Sequence, residues 1–288
     1  MCIRDRFIPL KGSLPEPLAL RYHGHQFGTY NPELGDGRGF LFAQYRDQQT
    51  GHLLDLGTKG SGRTPYARTA DGRLTLKGGV REVLATELLT ALNVPTSQSF
   101  SLIETGEALE RHDEPSPTRS SVLVRLLHGH IRIGSFQRLA YLGQANNLEK
   151  LLRHTVRHYY PELDPDLAYE ELVLSFLPEF AEHVSDMVAG WMVAGFVHGV
   201  LNTDNFNITG ESFDFGPWRF LPHFDPGFTA AYFDQTGRYA YGRQPSAAMW
   251  ALCRLADCFV QIVDAEVLAE TLSGFYSSME RNLSLIHI

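Results

Sequence analysis

The chain is poor in cysteine, has no long apolar run and has no excess of positive charge. Its 288 residues include three cysteines, Cys2, Cys253 and Cys258, whose spacing matches no metal-binding motif, so we expect reduced thiols. No uninterrupted apolar stretch approaches the roughly 20 residues that span a bilayer. A secretory signal would continue with a long apolar run, and no such run follows Met1–Arg6. The formal net charge of −8 argues against a general nucleic-acid-binding surface.

These absences predict a protein without a membrane or nucleic-acid partner. We expect it to be cytoplasmic in a bacterium, or mitochondrial in a eukaryote with a targeting segment that this sequence does not contain. Hydrophobic residues make up 43% and charged residues 20%, which is typical of a globular protein. The length suffices for one large domain or two lobes.

Both ends of the chain are similar to translated sequencing-adapter sequence. We interpret 1–6 and 283–288 as non-native and leave them out of the fold prediction. The remaining sequence is then expected to be a truncated piece of a longer protein.

Strands are predicted mainly in the first half of the chain and helices mainly in the second. The predicted strands are 39–45, 52–57, 98–103 and 121–127. The predicted helices are 80–92, 147–159, 167–177 and 178–198. Because strands precede helices and do not alternate with them, the sequence predicts an α+β fold and not a doubly wound parallel sheet.

The most informative segment is Gly199–Pro217, which places Asp204 beside Asn205 and is followed by Asp214 in an Asp-Phe-Gly sequence. Carboxylate and amide oxygens are hard ligands that suit Mg²⁺ or Mn²⁺. These ions bind few protein groups and share the rest of their shell with phosphate and water. The segment therefore predicts a site at which the protein holds a metal ion against the phosphates of a nucleotide. The alternative is coincidence, because an Asp-Asn turn and an Asp-Phe-Gly sequence are each common by chance.

Two further groups could bind phosphate. The turn containing Gly35, Gly37 and Arg38 could present backbone N–H groups to a phosphate, or could be a plain hairpin turn. Lys59, at a strand end, precedes helical Glu82 by 23 residues, which fits an ion pair between sheet and helix. The alternative is an exposed loop lysine and a solvated glutamate.

A third group consists of Arg125 and Arg132. Arg125 lies in an apolar run, where a charge is costly unless it is paired. Guanidinium groups bind phosphate oxygens bidentately, so a phosphate contact and a structural salt bridge both remain open. The order of glycine-rich turn, Lys, helical Glu, His and Asn, then Asp-Phe-Gly is the order found in protein kinases.

The kinase pattern is broken at one position. Asn205 lies seven residues after His198, as the pattern requires, but the residue two after His198 is Val200, where kinases carry the catalytic Asp. Valine performs no proton chemistry, and the nearest carboxylate is Asp204. Either the protein is inactive, or its nucleophile is activated in a different position.

Several sequence blocks closely resemble the selenoprotein O family of protein adenylyltransferases over residues 7 to 282. The matching blocks are His23-Gly-His-Gln-Phe-Gly28, Leu34-Gly-Asp-Gly-Arg38, Lys59-Gly-Ser-Gly-Arg-Thr-Pro-Tyr-Ala-Arg68, Asp71-Gly-Arg73, Arg81-Glu82, His198-Gly-Val-Leu-Asn-Thr-Asp-Asn205, Asp214-Phe-Gly-Pro217, Gly237-Arg-Tyr-Ala-Tyr241 and Gln244-Pro245. The resemblance implies a protein-kinase-like bilobal fold. It predicts a strand-rich N-lobe over 7–138 and a helical C-lobe over 139–282.

The resemblance also implies an activity. Members transfer AMP from ATP to Ser, Thr and Tyr hydroxyls of proteins and release pyrophosphate, with ATP inverted relative to ordinary kinases. Some bacterial members also transfer UMP from UTP with Mn²⁺. A nucleotide-binding pseudokinase that acts as a scaffold is the alternative, because a displaced base would suit either protein.

The implied residue roles fall into four groups. The proton acceptor is Asp204. The metal ligands, for Mg²⁺ or Mn²⁺, are Asn205 and Asp214. The ion-pair partner of the lysine is Glu82. The nucleotide-binding residues are Gly35, Gly37, Arg38, Lys59, Asp71, Gly72, Arg125, Arg132 and Asp214.

Overall fold

The computed structural model describes residues 11–48, 50–112 and 114–286. The strands are β1 (Gly24–Gln26), β2 (Thr29–Asn31), β3 (Gly39–Arg46), β4 (Leu53–Lys59), β5 (Leu74–Thr75), β6 (Gln98–Leu109), β7 (Thr118–Leu127), β8 (Phe196–Val197) and β9 (Arg219–Phe220). The helices are α1 (Leu76–Ala91), α2 (Ile133–Tyr141), α3 (Ala145–Tyr159), α4 (Tyr169–Ala194), α5 (Gln244–Ala256), α6 (Ala265–Thr271) and α7 (Phe275–Ile286). Antiparallel sheets combined with helices agree with the predicted α+β class. No helix within the described ranges is long and apolar enough to cross a membrane.

The chain divides into two compact units. The first consists of the described residues up to Arg21 together with Glu33–Leu88 and Ser97–His130. The second consists of Tyr22–Pro32, Leu89–Thr96 and the chain from Ile131 onward. The kinase-like lobes predicted at 7–138 and 139–282 stay predictions.

The predicted non-native ends fall largely outside the described residues. Residues 1–6, 287 and 288 are not described, whereas helix α7 continues to Ile286. The non-native origin of these ends stays a prediction.

The first unit is built on a five-stranded antiparallel sheet. Strands β3, β4, β7 and β5 are neighbours in that order, and β6 also pairs with β7. The predicted β3–β4 hairpin and strand β7 are confirmed. Strand β6 is six residues longer than predicted, because a register irregularity between Glu104 and Ala108 lets pairing with β7 resume beyond it. Gly106, with φ of 77°, lies within that irregularity.

Helix α1 begins four residues before its predicted start. Thr75 precedes the helix, and its hydroxyl accepts a hydrogen bond from the Gly78 amide at 3.1 Å, as an N-cap residue does. At the other end Asn93 adopts φ of 56°, and the Val94 amide donates to the Leu89 carbonyl at 2.9 Å. A left-handed residue followed by such a back-bond is a common way to end a helix.

The predicted break between two helices at Pro178 is wrong, because α4 runs through it from Tyr169 to Ala194. A proline inside a helix costs about 3 kcal/mol. Phe176, Leu177, Phe180 and Ala181 around it are buried, and each large apolar side chain contributes about 1.5–3 kcal/mol when removed from water. Packing therefore outweighs the cost of the missing N–H. Helices α2, α5, α6 and α7 were not predicted.

The core of the second unit consists largely of aromatic rings. Phe136 stacks on Phe176 with ring centroids 6.4 Å apart, and Phe176 stacks on Phe180 at 5.8 Å. Tyr160 is fully buried against Phe176, and its hydroxyl donates to the Ile208 carbonyl at 2.7 Å. The helical core thus holds the loop that follows Asp204 and Asn205.

Candidate active site

In the first unit, Lys59 and Glu82 form a buried ion pair. Lys59 is the last residue of β4 and Glu82 lies on α1, and Nζ of the lysine contacts Oε1 of the glutamate. Their exposed fractions are 8% and 3%. Because little water screens this pair, removing either partner would leave a buried charge uncompensated.

Arg125 lies on the same face of the sheet as Lys59. In the β4–β7 ladder, Gly57 is opposite Arg125 and Lys59 is opposite Leu123. Side chains alternate along a strand, so residues 57 and 59 and their partners 123 and 125 share one face. Arg125 is buried on that face. Two predicted phosphate-binding cations therefore project from one surface of the sheet.

The same face carries a polar pair that sequence reasoning missed. The Asp55 carboxylate accepts hydrogen bonds at 3.1 Å from the backbone amide of His130 and pairs with Nδ1 of its ring at the same distance. Gln44 donates to the other carboxylate oxygen at 2.9 Å. A Cβ on Gly57 would lie 2.7 Å from Nε2 of His130, so only glycine leaves room for the ring. No local motif marks this contact between residues 75 positions apart.

The glycine-rich turn packs against the loop that follows β4. A Cβ on Gly35 would lie 2.7 Å from Cβ of Tyr66, so a larger residue would displace that loop. The Gly37 carbonyl accepts from the Thr64 amide at 3.4 Å, and Nη1 of Arg38 donates to the Arg73 carbonyl at 3.3 Å. These contacts fix the shape of the turn, and its phosphate contact stays a prediction.

Asp71 and Gly72 form a tight turn in the same unit. Arg111 binds both carboxylate oxygens of Asp71, through Nη1 at 2.8 Å and Nη2 at 3.2 Å. Burial acts to raise the pKa of Asp71, but the Arg73 amide and the Arg111 guanidinium outweigh it and lower this pKa. Gly72 has φ of 75°, and a Cβ there would lie 2.3 Å from the Arg63 amide nitrogen. The position therefore requires glycine.

In the second unit, Arg132 joins the two parts of the acidic segment. Its Nη1 donates to the Asp204 carbonyl at 3.1 Å and to Oδ2 of Asp214 at 3.3 Å. The guanidinium carbon lies 4.1 Å from the ring centre of Tyr22 and 4.8 Å from that of Phe213. Arg132 is fully buried, so its contact with phosphate stays a prediction, whereas its contact with both acidic residues is present.

Three consecutive residues before the Phe-Gly sequence are each anchored. Trp191 donates from its ring to the Ser212 hydroxyl at 2.8 Å, and Nε2 of His198 lies 3.1 Å from the Phe213 carbonyl. Asp214 is held by Arg132 and has φ of 59°. Asp is among the few residues that tolerate this left-handed conformation. The two residues before Asp214 are therefore held by buried side chains, and the Asp214 carboxylate is held by Arg132.

The side-chain amide of Asn205 is oriented by the backbone of Val200. Its amide nitrogen donates to the Val200 carbonyl at 2.8 Å. This bond directs the amide nitrogen towards Val200, and the amide oxygen is the atom of this side chain that could bind a cation. An amide oxygen and a carboxylate fit Mg²⁺ or Mn²⁺ that completes its shell with phosphate and water. Within the described ranges, no group of three His, Cys, Asp or Glu side chains could hold a metal without such additional ligands.

Residues 7–286 match the profile of a family described as protein adenylyltransferase SelO. The chain belongs to this family.

Bacterial members of the SelO family include close relatives of the chain. The protein nucleotidyltransferase YdiU of Synechocystis sp. is 54% identical over 258 residues, which cover 90% of this chain and 54% of the relative. That of Synechococcus elongatus is 55% identical over 258 residues, covering 90% of this chain and 52% of the relative. The Marinomonas sp. protein of the same name is 40% identical over 268 residues, covering 93% and 55%. The chain spans about half the length of the curated relatives it matches.

The block His23–Gly28, which the sequence linked to the SelO family without assigning it a role, supports the turn that carries Asp204. The His25 amide donates to the Thr203 hydroxyl at 2.7 Å, and this hydroxyl donates to Oε1 of Gln137 at 2.6 Å. The amide of Gln137 then donates to Nδ1 of His25 at 2.9 Å, which requires that nitrogen to be unprotonated. Thr203 directly precedes Asp204, so this closed set of bonds positions the predicted proton acceptor.

Proposed function

We propose that the chain is the catalytic part of a protein adenylyltransferase that transfers AMP from ATP to Ser, Thr and Tyr hydroxyls of other proteins. Family membership supports a nucleotide substrate and protein acceptors. The observation that carries the proposal is the acidic segment of the second unit. Arg132 contacts the backbone of Asp204 and the carboxylate of Asp214, and Asn205 beside them is oriented through Val200.

In the proposed reaction, the acceptor hydroxyl oxygen attacks the α-phosphorus of ATP. The new bond joins this oxygen to the α-phosphorus, and the bond from that phosphorus to the α,β-bridging oxygen breaks. Pyrophosphate leaves, and the hydroxyl proton passes to the Asp204 carboxylate. Val200 stands where kinases place their base, so Asp204 performs this proton transfer from a neighbouring position.

The transition state gains negative charge on the phosphate oxygens, so charge neutralisation contributes more than covalent assistance. Lys59 and Arg125 supply two cations from one face of the sheet in the first unit. The turn of Gly35, Gly37 and Arg38 and the turn of Asp71 and Gly72 are proposed to contact the nucleotide. Arg132 is proposed to contribute both to phosphate binding and to the position of Asp214.

Mg²⁺, or Mn²⁺, would be held by the amide oxygen of Asn205 and the carboxylate of Asp214 and would neutralise charge on the triphosphate. The chain's own part in this is orientation. Val200 accepts the Asn205 amide nitrogen, and Arg132 holds Oδ2 of Asp214. Both oxygen donors are then in place before the nucleotide binds.

The experiment that tests this function follows the fate of two labels. ATP carrying radioactive phosphorus at the α-position or at the γ-position is incubated with the protein, Mg²⁺ and an acceptor proteome. Retention of the α-label on protein, with no γ-label, is expected. Transfer of the γ-label would indicate a phosphotransferase, and nucleotide binding without either label would indicate a pseudokinase.

Two variants connect the label to the site. Asp204→Asn removes the proton acceptor while keeping its size, and α-label transfer is expected to fall about 10²–10⁴-fold. Asp214→Asn removes the carboxylate charge and keeps a residue that tolerates φ of 59°, and because buried Arg132 loses an anionic partner in this variant, its unfolding free energy is measured beside α-label transfer. Full activity in Asp214→Asn would contradict the metal role. Replacing ATP by α-labelled UTP with Mn²⁺ measures UMP transfer in the same assay.

A further inference from the structure

The second unit contains a cavity that the proposed reaction has not used. It has a volume of about 760 Å³, within the range of pockets that hold small ligands or side chains. Its walls include Phe27, Phe233, Arg238, Arg243 and Trp250. Two of these residues lie in or next to the family blocks at 237–241 and 244–245, which the sequence singled out without assigning a role.

One side of the pocket is cationic. Nη1 of Arg243 donates to the carbonyls of Thr236 at 3.1 Å and Gly237 at 3.2 Å, which fixes one end of an exposed guanidinium. Within the described ranges, the remaining N–H groups of Arg243 make no hydrogen bond. The Arg238 guanidinium carbon lies 4.8 Å above the Trp250 ring, and its Nε is buried.

The one carboxylate in the pocket wall does not cancel this charge by direct pairing. Oδ1 of Asp234 accepts from the Arg238 backbone amide at 2.9 Å, and Oδ2 accepts from the Tyr239 amide at 2.8 Å. Asp234 is buried and serves to shape its own loop. The Arg243 guanidinium therefore remains available to an anion from outside the chain, and Arg238 contributes a second positive charge to the pocket wall.

The other side of the pocket is apolar and accessible. Phe27 is 37% exposed and Phe233 is 46% exposed, and their ring centroids are 5.9 Å apart. An apolar group placed against both rings would remove them from water. An anionic group beside an apolar one is therefore the chemistry that complements this pocket.

The pocket is attached directly to the loop of the predicted proton acceptor. The Phe27 amide donates to Oδ1 of Asn202 at 3.1 Å, and the Tyr239 hydroxyl donates to the same oxygen at 2.8 Å. Asn202 precedes Asp204 by two residues. Both the apolar and the cationic walls thus share one anchor on this loop.

We propose that the pocket binds an acidic residue, with an apolar neighbour, that flanks the target hydroxyl of the acceptor protein. This inference rests on the proposed function, because it assigns a specificity subsite to the same reaction. A carboxylate would accept from the free N–H groups of exposed Arg243, and the Arg238 guanidinium would add a second positive charge in the same pocket wall. The apolar neighbour would cover Phe27 and Phe233.

A binding measurement tests the pocket without requiring catalysis. Each fluorescein-labelled peptide contains a single Tyr and carries Leu-Glu, Leu-Gln or Leu-Lys at one of the positions that flank it. The peptides are titrated with the chain, and binding is followed by fluorescence anisotropy. At one flanking position, the Glu peptide is expected to bind about tenfold more tightly than the Lys peptide, with a difference that shrinks at high salt. Equal affinities for the three peptides at every position would overturn the proposal.

The variants Arg243→Gln and Arg243→Glu locate the effect. Arg243→Gln is expected to weaken binding of the Glu peptide about fivefold. Arg243→Glu is expected to reverse the preference, so that the Lys peptide binds more tightly than the Glu peptide. The matched control is Arg157→Gln on α3, an exposed arginine that pairs with Asp166 and is not part of the pocket. An unchanged preference in Arg243→Glu would place the acidic residue elsewhere and overturn the proposal. Because Arg243 is exposed, folding is not expected to suffer.

A transfer assay separates this inference from the proposed function. The same peptides are incubated with ATP labelled at the α-phosphorus. A higher kcat/KM for the Glu peptide than for the other peptides supports the pocket, provided that Arg243→Gln removes this advantage by raising KM. Labelling of all peptides without a charge preference would overturn the pocket and leave the function intact. Absence of label on every peptide and protein would contradict the function, while the anisotropy measurement still decides the pocket.

Discussion

The guanidinium of Arg132 holds the carboxylate of Asp214, with Nη1 lying 3.3 Å from Oδ2. The arginine is fully buried between aromatic rings, whereas the Asp214 side chain is 19% exposed. One end of the pair is thus shielded from solvent and the other can reach a ligand. The same Nη1 binds the Asp204 carbonyl at 3.1 Å. A single cation therefore sets the spacing between the predicted proton acceptor and a predicted metal ligand.

Arg132→Met is expected to destabilise the protein strongly. It would remove the Arg132 cation from the Asp214 carboxylate and one hydrogen bond from the Asp204 carbonyl, and breaking a buried pair in this way costs about 3–5 kcal/mol. Arg132→Lys should cost less, because it keeps the charge. The free energy of unfolding from urea denaturation measures both. Arg157→Met, at an exposed ion pair, should change it by less than about 1 kcal/mol. Equal losses in Arg132→Met and Arg157→Met would refute the structural role.

The sequence predicted residues whose chemistry is local and missed those whose partners are distant. Asn205 and Asp214 could be predicted as metal ligands because their residue types and spacing are themselves the signal, and this role stays a prediction. The contact between Lys59 and Glu82 could be anticipated because one ends a strand and the other lies on the following helix. By contrast, Thr203 contacts Gln137 across 66 positions, and a hydrogen bond between neutral side chains leaves no periodic pattern.

Element boundaries failed where tertiary packing overrides local preference. Pro178 predicted a helix end, but the buried aromatic residues on both sides keep α4 continuous. Thr75 was not recognised as a helix start because its capping role depends on Gly78, a poor helix former. Strand β6 was cut short because a bulge inside it interrupts the alternation of side chains.

Thr203→Val is expected to slow AMP transfer without weakening ATP binding. The substitution keeps the shape of the side chain but removes the acceptor for the His25 amide and the donor to Gln137. Asp204 would then be less well positioned, and kcat should fall about tenfold or more, together with about 1–3 kcal/mol of unfolding free energy. Thr203→Ser keeps both hydrogen bonds and should retain both properties. If Thr203→Val and Thr203→Ser had the same kcat, the network would not position the acceptor.

Stability should depend on pH through His25. Burial and the charges of Arg254 and Arg238 lower its pKa below 6.5, against the opposing effect of the Asp257 charge. Between the lowered pKa and 6.5 the unfolded chain binds a proton that the folded chain does not. The contribution of His25 to the free energy of unfolding should therefore be fully present above pH 6.5. It should decrease as the pH falls below 6.5, by at most about 1.4 kcal/mol per pH unit.

Urea denaturation between pH 5.5 and 7.5 measures this dependence. His25→Asn removes the titrating ring, so the decline below pH 6.5 should be smaller than in the parent chain. His154→Asn is the matched control, because His154 is exposed on α3. A decline of the same steepness in His25→Asn and in the parent would exclude His25 as its source.

Lys59→Met separates a phosphate contact from a structural ion pair. The substitution keeps much of the side-chain volume but leaves Glu82 as a buried, uncompensated charge, so both stability and ATP affinity should fall. Adding Glu82→Gln removes that charge and should restore most of the unfolding free energy. If Lys59 binds phosphate directly, calorimetry should still give an ATP affinity about tenfold or more below the parent value in the double variant. Lys77→Met, at an exposed lysine of the same helix as Glu82, should change neither property. Recovery of ATP affinity together with stability would mean that Lys59 acts only through Glu82.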